Sequence, residues 1–166
     1  MGATVLCRSK TSWSLYNTPM TYTPNYIRRV CKPFSPKKAV RSFRDLEVYQ
    51  KTMELSVIVA QQVLPTLVKQ TYPLVEGMRN CVLSVPLLIA EAHGMRFSNF
   101  DKAVATLEHA MQGCNKAIVY VEQAAKLFPK HVDAALCEDL AKNYIIVRGK
   151  MLRLERSWQK FRAAPH

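Results

Sequence analysis

The residue types that usually perform catalysis or bind metals are present, but their spacing does not support such a site. None of the four histidines, His93, His109, His131 and His166, belongs to a Glu-x-x-His pair, the spacing that builds a two-metal carboxylate site between bundle helices. Glu91 and His93 are two residues apart and fall on different faces of a helix. No glycine-rich phosphate loop or nucleophile elbow occurs. We therefore expect no catalytic residues, no metal site and no cofactor, and interpret the protein as a non-enzyme.

Cysteines and apolar runs bear on the compartment. The five cysteines are an odd number without a Cys-x-x-Cys pair: Cys7, Cys31, Cys81, Cys114 and Cys137. This pattern predicts neither a disulfide framework nor a zinc site, and it fits a reducing compartment. No apolar run approaches the ~20 residues of a membrane span, and the first residues lack the apolar block of a secretory signal. We expect a cytoplasmic protein with no membrane partner.

Phosphate binding is the chemistry that the C-terminal segment supports. Residues 142–162 carry seven cations and a single acid, Glu155. On an ideal helical wheel, four of the cations fall within roughly 60° of arc opposite the apolar side. We call these four the cationic ridge: Lys142, Arg153, Arg156 and Lys160. The other three flank the apolar side: Arg148, Lys150 and Arg162. A ridge about 27 Å long matches a run of phosphates.

The charge of the whole chain favours the same chemistry. The 24 Lys and Arg residues outnumber the 12 Asp and Glu residues, which gives a net charge of +12 at pH 7. Such a charge suits a polyanionic partner. Residues 1–41 hold eight of the cations and none of the acids, together with prolines and aromatic residues. We interpret them as a flexible basic arm whose cations assist binding: Arg28, Arg29, Lys37, Lys38 and Arg41.

Three interpretations of the cationic ridge are open at the sequence level. It binds nucleic acid, it is an ordinary solvated face, or it meets an anionic membrane surface. Lys and Arg near a helix C-terminus also complement the helix dipole. We favour nucleic acid because the cations lie on one side and because the basic arm adds aromatic residues that can stack on bases. Binding of this kind is strongly salt dependent.

Four helical segments follow the basic arm, between residues 42 and 162. In each of them apolar residues recur at spacings of three and four, the period of an α-helix, and no alternating strand pattern competes. The predicted core stripes are Leu46, Tyr49, Met53, Val57, Ala60 and Leu64; Leu74, Met78, Cys81, Val85, Leu88 and Ala92; Phe100, Val104, Leu107, Met111, Cys114, Ile118, Val121, Ala125 and Phe128; and Leu140, Tyr144, Val147, Met151, Leu154, Trp158 and Phe161. Short connections and narrow stripes predict an all-α, antiparallel four-helix bundle with a C-terminal tail at 163–166.

Capping residues and prolines set the expected ends of the helices. The expected signals are a Ser42–Asp45 capping box, an end or kink at Pro65, a kink at Pro86, a stop at His93-Gly94, an N-cap at Ser98 and a break at Pro129. The fourth helix is expected from about Val132 to Arg162.

Two segments resemble a superfamily of four-helix bundle proteins. Residues 43–56, FRDLEVYQKTMELS, resemble the opening of the proteins encoded in intervening sequences of bacterial large-subunit ribosomal RNA genes. Residues 84–96, SVPLLIAEAHGMR, are similar to the second-helix signature of that branch, Ser-Ile-Pro-x-Asn-Ile-Ala-Glu-Gly-x-Gly-Arg. The matching residues are Ser84, Pro86, Ile89, Ala90, Glu91 and Gly94, while Leu88 and Ala92 replace the Asn and a Gly.

The second half of the chain resembles a sister branch, the accessory variability proteins of diversity-generating retroelements. Residues 88–96, LIAEAHGMR, and residues 102–127 are similar to the second and third helices of that branch, and residues 147–158, VRGKMLRLERSW, resemble its closing Gly-x-Met-Leu-x-x-Trp pattern. The resemblance implies a homopentameric barrel of four-helix protomers that is basic outside. In the retroelement branch such a barrel binds the reverse transcriptase and its template RNA, and it supports mutagenic cDNA synthesis.

Our leading hypothesis is a non-enzymatic, RNA-binding accessory scaffold. Its phosphate contacts would be Arg148, Lys150, Arg153, Arg156 and Lys160, helped by Lys142, Arg162 and the basic arm. The alternative is a protein of the ribosomal intervening-sequence type that acts as a structural protein–protein interaction module. Its ridge would then dock an acidic protein.

Overall fold

The computed structural model describes residues 40–163, and every regular element in that range is helical. In chain order the elements are a 3₁₀ turn Phe43–Asp45, α1 Glu47–Ile58, a π-helical turn Val59–Val63, α2 Leu64–Lys69, α3 Val75–Met95, α4 Phe100–Leu127 and α5 Ala134–Ala163. Because α1, the π turn and α2 follow one another without a break, these residues form four long helices. The all-α prediction is confirmed. Within the described range, no helix has both the length and the apolar character that crossing a membrane requires.

The predicted capping box is present at the start of the described chain. The Ser42 hydroxyl accepts a hydrogen bond from the backbone N–H of Arg44 at 3.3 Å, and the Asp45 carboxylate accepts one from the backbone N–H of Ser42 at 2.9 Å. The box caps the short 3₁₀ turn, whereas the long helix begins just after it, at Glu47. This local signal could be predicted because the residues involved lie within four positions of one another.

The helix does not end at Pro65, so that part of the prediction is wrong. α2 carries the chain through Pro65 as far as Lys69. Proline has no N–H to donate to the carbonyl one turn back. The irregular part of the helix is the π turn Val59–Val63, which lies just before Pro65. Pro86 likewise lies inside α3, which is continuous from its first residue to its last.

Polar side chains cap the two longest helices. Asn99, and not the predicted Ser98, is the N-cap of α4, since its side chain accepts a hydrogen bond from the backbone N–H of Lys102 at 3.1 Å. The Asp133 carboxylate accepts hydrogen bonds from two backbone N–H groups in the first turn of α5. α3 ends at Met95, one residue beyond the predicted His93-Gly94 stop.

α4 packs against both α3 and α5, and α1 contacts the same two helices. The buried face of α4 contains many small residues: Ala103, Ala110, Gly113, Ala117 and Ala124. These residues permit a close approach to α3, since a Cβ added to Gly113 would lie only 2.7 Å from Cγ2 of Val85. The α3–α4 contact therefore depends on the absence of a side chain at Gly113.

Burial confirms the predicted stripe of α5 in its first half and contradicts it at its end. Leu140, Tyr144, Val147 and Met151 are buried, as predicted. Phe161 is 77% exposed, so its assignment to the core is wrong. The last buried residue of α5 is Glu155, and Trp158 is half-buried against the core, so the core ends just before Phe161.

The buried face of the first helix is rotated relative to the predicted stripe. Met53 and Val57, both assigned to the core, are 37% and 41% exposed. Leu46 and Leu64 are buried as predicted. The other buried positions lie outside the predicted stripe: Val48, Thr52, Leu55, Ser56, Val59, Val63 and Leu67. Two of them are polar, and their hydroxyls donate hydrogen bonds to backbone carbonyls in the preceding turn, each at 2.8 Å. Because these bonds satisfy the hydroxyls, Thr and Ser occupy core positions that a count of apolar residues misses.

Candidate nucleic-acid interface

The four cations of the ridge lie on the side of α5 that faces away from the bundle, whereas Lys150 and Arg162 contact the neighbouring helices α1 and α4. All four residues of the cationic ridge are exposed, as are Arg148 and Arg162, and Lys150 is half-buried. The opposite side of the same helix supplies the buried residues Leu140, Tyr144 and Met151. The prediction that this helix has one packing face and one positively charged face is confirmed for residues 140–156.

Three of the seven cations form ion pairs within the chain. The pairs are Lys142 with Glu138 (Nζ to Oε1, 2.6 Å), Arg162 with Asp101 (Nη1 to Oδ1, 2.6 Å) and Lys150 with Glu47. The first pair lies within α5, whereas the other two join α5 to α4 and to α1. Because each pair has at least one exposed partner, water and salt weaken these pairs, and a phosphate can compete for the same cations.

The other four cations have no such partner. Arg148, Arg153, Arg156 and Lys160 are exposed and make neither an ion pair nor a hydrogen bond with residues 40–163. The last three lie at spacings of three and four residues, which places them on one face of the helix. We call Arg153, Arg156 and Lys160 the unpaired triad. It is the most concentrated group of available positive charge on α5.

The acid nearest to the triad in sequence is turned away from it. Glu155 is buried, with only 7% of its surface exposed, and its carboxylate accepts a hydrogen bond from Nε2 of Gln159 at 3.0 Å. It therefore does not neutralise the exposed side of α5. The six residues that follow it, 156–161, contain two cations and no acid.

One cation of the triad acts on a carboxylate at longer range. The pKa of Glu47 is held below its ordinary value, mainly by the hydrogen bond from Lys150 and more weakly by the positive charge of Arg153. Glu47 therefore stays ionised at neutral pH and lies at the edge of the basic surface. Glu47 does little to neutralise the positive charge of the triad, because it already pairs with Lys150.

Most of the predicted contribution from the basic arm lies outside the described residues. Arg28, Arg29, Lys37 and Lys38 precede residue 40, so their prediction is untested. Arg41 is described and exposed, and its backbone N–H donates a hydrogen bond to Asp45 at 3.0 Å.

The histidines in the described range do not form a metal site. Among residues 40–163, no group of three His, Cys, Asp or Glu side chains is arranged to hold a metal ion. His93 is buried at the end of α3, and its Nδ1 lies 3.1 Å from Nη1 of Arg96. Burial, followed by the nearby Arg96 charge, lowers the pKa of His93. The neutral ring therefore serves the packing of this helix end.

A groove of about 320 Å³ between α3 and α4 brings Cys81, His109 and Lys116 to one place. Burial raises the pKa of the Cys81 thiol, which also donates a hydrogen bond to the Gly113 carbonyl at 3.2 Å. A thiol with a raised pKa is a poor nucleophile, because it is protonated at neutral pH. The deeper Cys114 is less reactive still, since burial raises its pKa to about 12.

Sequence reasoning missed a group of aromatic and basic residues at the end of the bundle where α5 finishes. Phe97, in the connection between α3 and α4, is 87% exposed, and the Arg96 guanidinium lies over its ring at 4.2 Å. The guanidinium of Arg162 lies over Phe100 at 4.7 Å. The sequence signal that could have predicted this exposed ring is the Arg96-Phe97 pair between two predicted helices. An aromatic residue in such a connection does not belong to the apolar face of a helix.

No family model, no curated protein and no solved structure matches this chain.

Proposed function

We propose that this protein is a non-enzymatic RNA-binding scaffold, an accessory to the reverse transcriptase of a diversity-generating retroelement. The α5 cations bind RNA phosphates, with the unpaired triad as the central contact. The scaffold thereby holds template RNA for mutagenic cDNA synthesis. The polymerase and the retroelement enter the proposal through the resemblance of residues 102–127 and 147–158.

The observation that carries the RNA-binding part of the proposal is the unpaired triad. An exposed Arg or Lys with no carboxylate partner loses no internal ion pair when it meets a phosphate. Each such contact also releases condensed counterions from the RNA, which makes binding favourable and salt dependent. The paired cations add to the surface only where a phosphate displaces their acid partner.

An antiparallel arrangement of the four helices and assembly into a homopentamer complete the proposal. The homopentamer follows from the resemblance, and the antiparallel arrangement follows from the short connections between the long helices. A ring of five protomers repeats the triad five times, which raises the effective affinity for one long RNA. Light scattering tests the assembly, since a pentamer weighs about 95 kDa, five times the 18.9 kDa of one chain.

The decisive experiment neutralises the triad by the combined substitutions Arg153→Gln, Arg156→Gln and Lys160→Gln. We expect affinity for single-stranded RNA at about 50 mM salt to fall at least about tenfold, and the slope of log K against log salt to flatten by about 2, since each phosphate contact contributes about 0.7. All RNA sequences should be affected alike, because phosphate contacts carry no sequence information.

A matched control removes the same charge elsewhere. Lys69→Gln, Lys126→Gln and Lys130→Gln replace three exposed lysines that form no ion pair within residues 40–163. This variant should lose far less affinity than the triad variant. Equal losses in the two would show that net charge, and not the α5 face, governs binding. An unchanged affinity and slope in a folded triad variant would refute the proposal.

One observation favours a second candidate, a structural protein–protein interaction module of the ribosomal intervening-sequence type. Ile145 and Ile146 are 58% and 53% exposed on α5, a short distance along the helix from the triad. A surface that combines exposed apolar residues and arginines also suits an acidic protein partner. Affinity capture with and without nuclease separates the two candidates, because a direct protein contact survives digestion of RNA.

A further inference from the structure

Three parts of the chain meet at the end of the bundle where α5 finishes. Nη1 of Arg162, in the last turn of α5, lies 2.6 Å from Oδ1 of Asp101, in the first turn of α4. The connection from Arg96 to Asn99 leads into the same turn of α4. The 3₁₀ turn Phe43–Asp45 contacts α3, and the Asp45 charge acts on His93 near the end of that helix. We call this region the α5 end of the bundle.

Two aromatic side chains at the α5 end are unusually exposed. Phe97 is 87% exposed and Phe161 is 77% exposed, whereas every other aromatic residue within 40–163 is buried or half-buried. Exposing a phenyl ring to water is unfavourable, and such rings often mark a contact surface. They lie at the end of the molecule toward which the cationic ridge leads.

Arg96 holds one of these rings in a defined setting. Its Nη1 donates a hydrogen bond to the His93 carbonyl at 2.5 Å, which anchors the guanidinium to the end of α3. From there the guanidinium lies 4.2 Å from the centre of the Phe97 ring. A fixed guanidinium beside an exposed ring resembles the combination with which proteins stack unpaired bases.

The charges around the two rings are complementary to phosphate. Arg44, Lys102 and Lys160 are exposed cations at this end, and none forms an ion pair with residues 40–163. Two of the acids at this end are already engaged, since Asp101 pairs with Arg162 and Asp45 accepts backbone hydrogen bonds in the capping box. The rings therefore lie among cations that remain available to a polyanion.

We propose that the α5 end of the bundle binds unpaired bases of single-stranded RNA, which stack on Phe97 and Phe161 while the neighbouring cations hold the phosphates. This inference rests on the proposed function and deepens it, because it makes single-stranded RNA the preferred ligand over duplex. A duplex keeps its base faces stacked inside and offers only phosphates, whereas a single strand presents base faces to the rings. The triad alone would not distinguish the two.

The test compares the affinity of Phe97→Ala and Phe161→Ala for two probes at one salt concentration. The probes are a fluorescent oligoadenylate of about 12 nucleotides and a blunt RNA duplex of the same length. We expect each variant to bind the oligoadenylate about tenfold more weakly and the duplex with wild-type affinity. Phe97→Trp should restore single-strand binding, because the indole ring also stacks. Leu87→Ala, which truncates a 67% exposed residue of α3, is the matched apolar control and should leave both affinities unchanged.

The outcomes separate this inference from the proposed function. If wild type binds both probes, the triad variant weakens both and the Phe variants weaken neither, stacking is refuted while phosphate binding by α5 stands. Equal losses on single strand and duplex also refute stacking. If the wild-type protein retains neither probe, both proposals fail. An acidic protein that competes for this end only when Phe97 is present would assign the rings to a protein contact and overturn the inference.

Discussion

The middle of the bundle and its α5 end use similar residues for different purposes. In the middle, Tyr144 and Met151 of α5 are completely buried, and α3 and α4 approach so closely that Gly113 has no room for a methyl group. At the α5 end, Phe97 and Phe161 are almost fully exposed. An apolar side chain of this protein is therefore buried only where a neighbouring helix covers it.

The first prediction sharpens this contrast and concerns the largest effect. Met151→Ala should lower the free energy of unfolding by about 2–5 kcal/mol, because it leaves a cavity where the side chain is fully buried. Phe161→Ala removes a larger side chain from an exposed position and should change stability by no more than about 0.5 kcal/mol. Urea denaturation of the two variants measures both values. A large loss for Phe161→Ala would contradict the exposed position of this ring.

The second prediction compares two helical glycines. Gly113→Ala should destabilise by about 1–3 kcal/mol, because the new methyl group would meet the branched side chain of Val85 at 2.7 Å. Gly149→Ala has no atom within 4 Å of the new group and should stabilise α5 by roughly 0.5–1 kcal/mol, the usual gain from replacing glycine in a helix. Thermal unfolding of both variants checks the opposite signs. A neutral or stabilising Gly113→Ala would show that close α3–α4 packing does not require a glycine, and a destabilising Gly149→Ala would contradict the open space around that position.

The third prediction concerns pH and is the smallest. Burial lowers the pKa of His93, with Arg96 acting in the same direction and Asp45 opposing it. As pH falls through about 6.5, the unfolded chain takes up a proton before the folded one does, so the His93 contribution is complete above that pH and is lost below it. The free energy of unfolding should therefore decline on acidification, by at most about 1.4 kcal/mol per pH unit from this group.

A substitution at the same position isolates that contribution. Below about pH 6.5, the free energy of unfolding of His93→Gln should decline less steeply than that of wild type. The difference between the two proteins at about pH 8 is subtracted first, so that only the pH dependence is compared. Identical slopes in the two proteins would assign the acid sensitivity to other groups.

Much of the helical layout could be predicted from the sequence, because it depends on near neighbours. The Ser42–Asp45 capping box and the buried stripe from Leu140 to Met151 involve residues within one or a few turns. The errors have two different causes. Thr52 and Ser56 are polar residues that lie in the core, and a count of apolar residues misses them because their hydroxyls are satisfied by hydrogen bonds to backbone carbonyls one turn earlier in the same helix. Phe161 is exposed because the core ends before it, and the contacts between helices decide where the core ends.

The candidate site divides in the same way. The positions of the cations on α5 follow from a helical repeat of about 3.6 residues, so their clustering on one side was predictable. The sequence did not predict which of these cations are free to bind a phosphate. The acid partners of Lys150 and Arg162 lie 103 and 61 residues away in the chain.

The amino-acid sequence alone determined that residues 42–162 form helices with one apolar and one charged side, because helix formation and amphipathicity depend on spacing along the chain. Only the tertiary structure decided that Arg153, Arg156 and Lys160 form no ion pair within residues 40–163 while Lys150 and Arg162 do, and that the side chains of Phe97 and Phe161 are exposed to water. The physical reason is that ion pairs and burial require groups to meet in space, and which groups meet is set by how the helices pack.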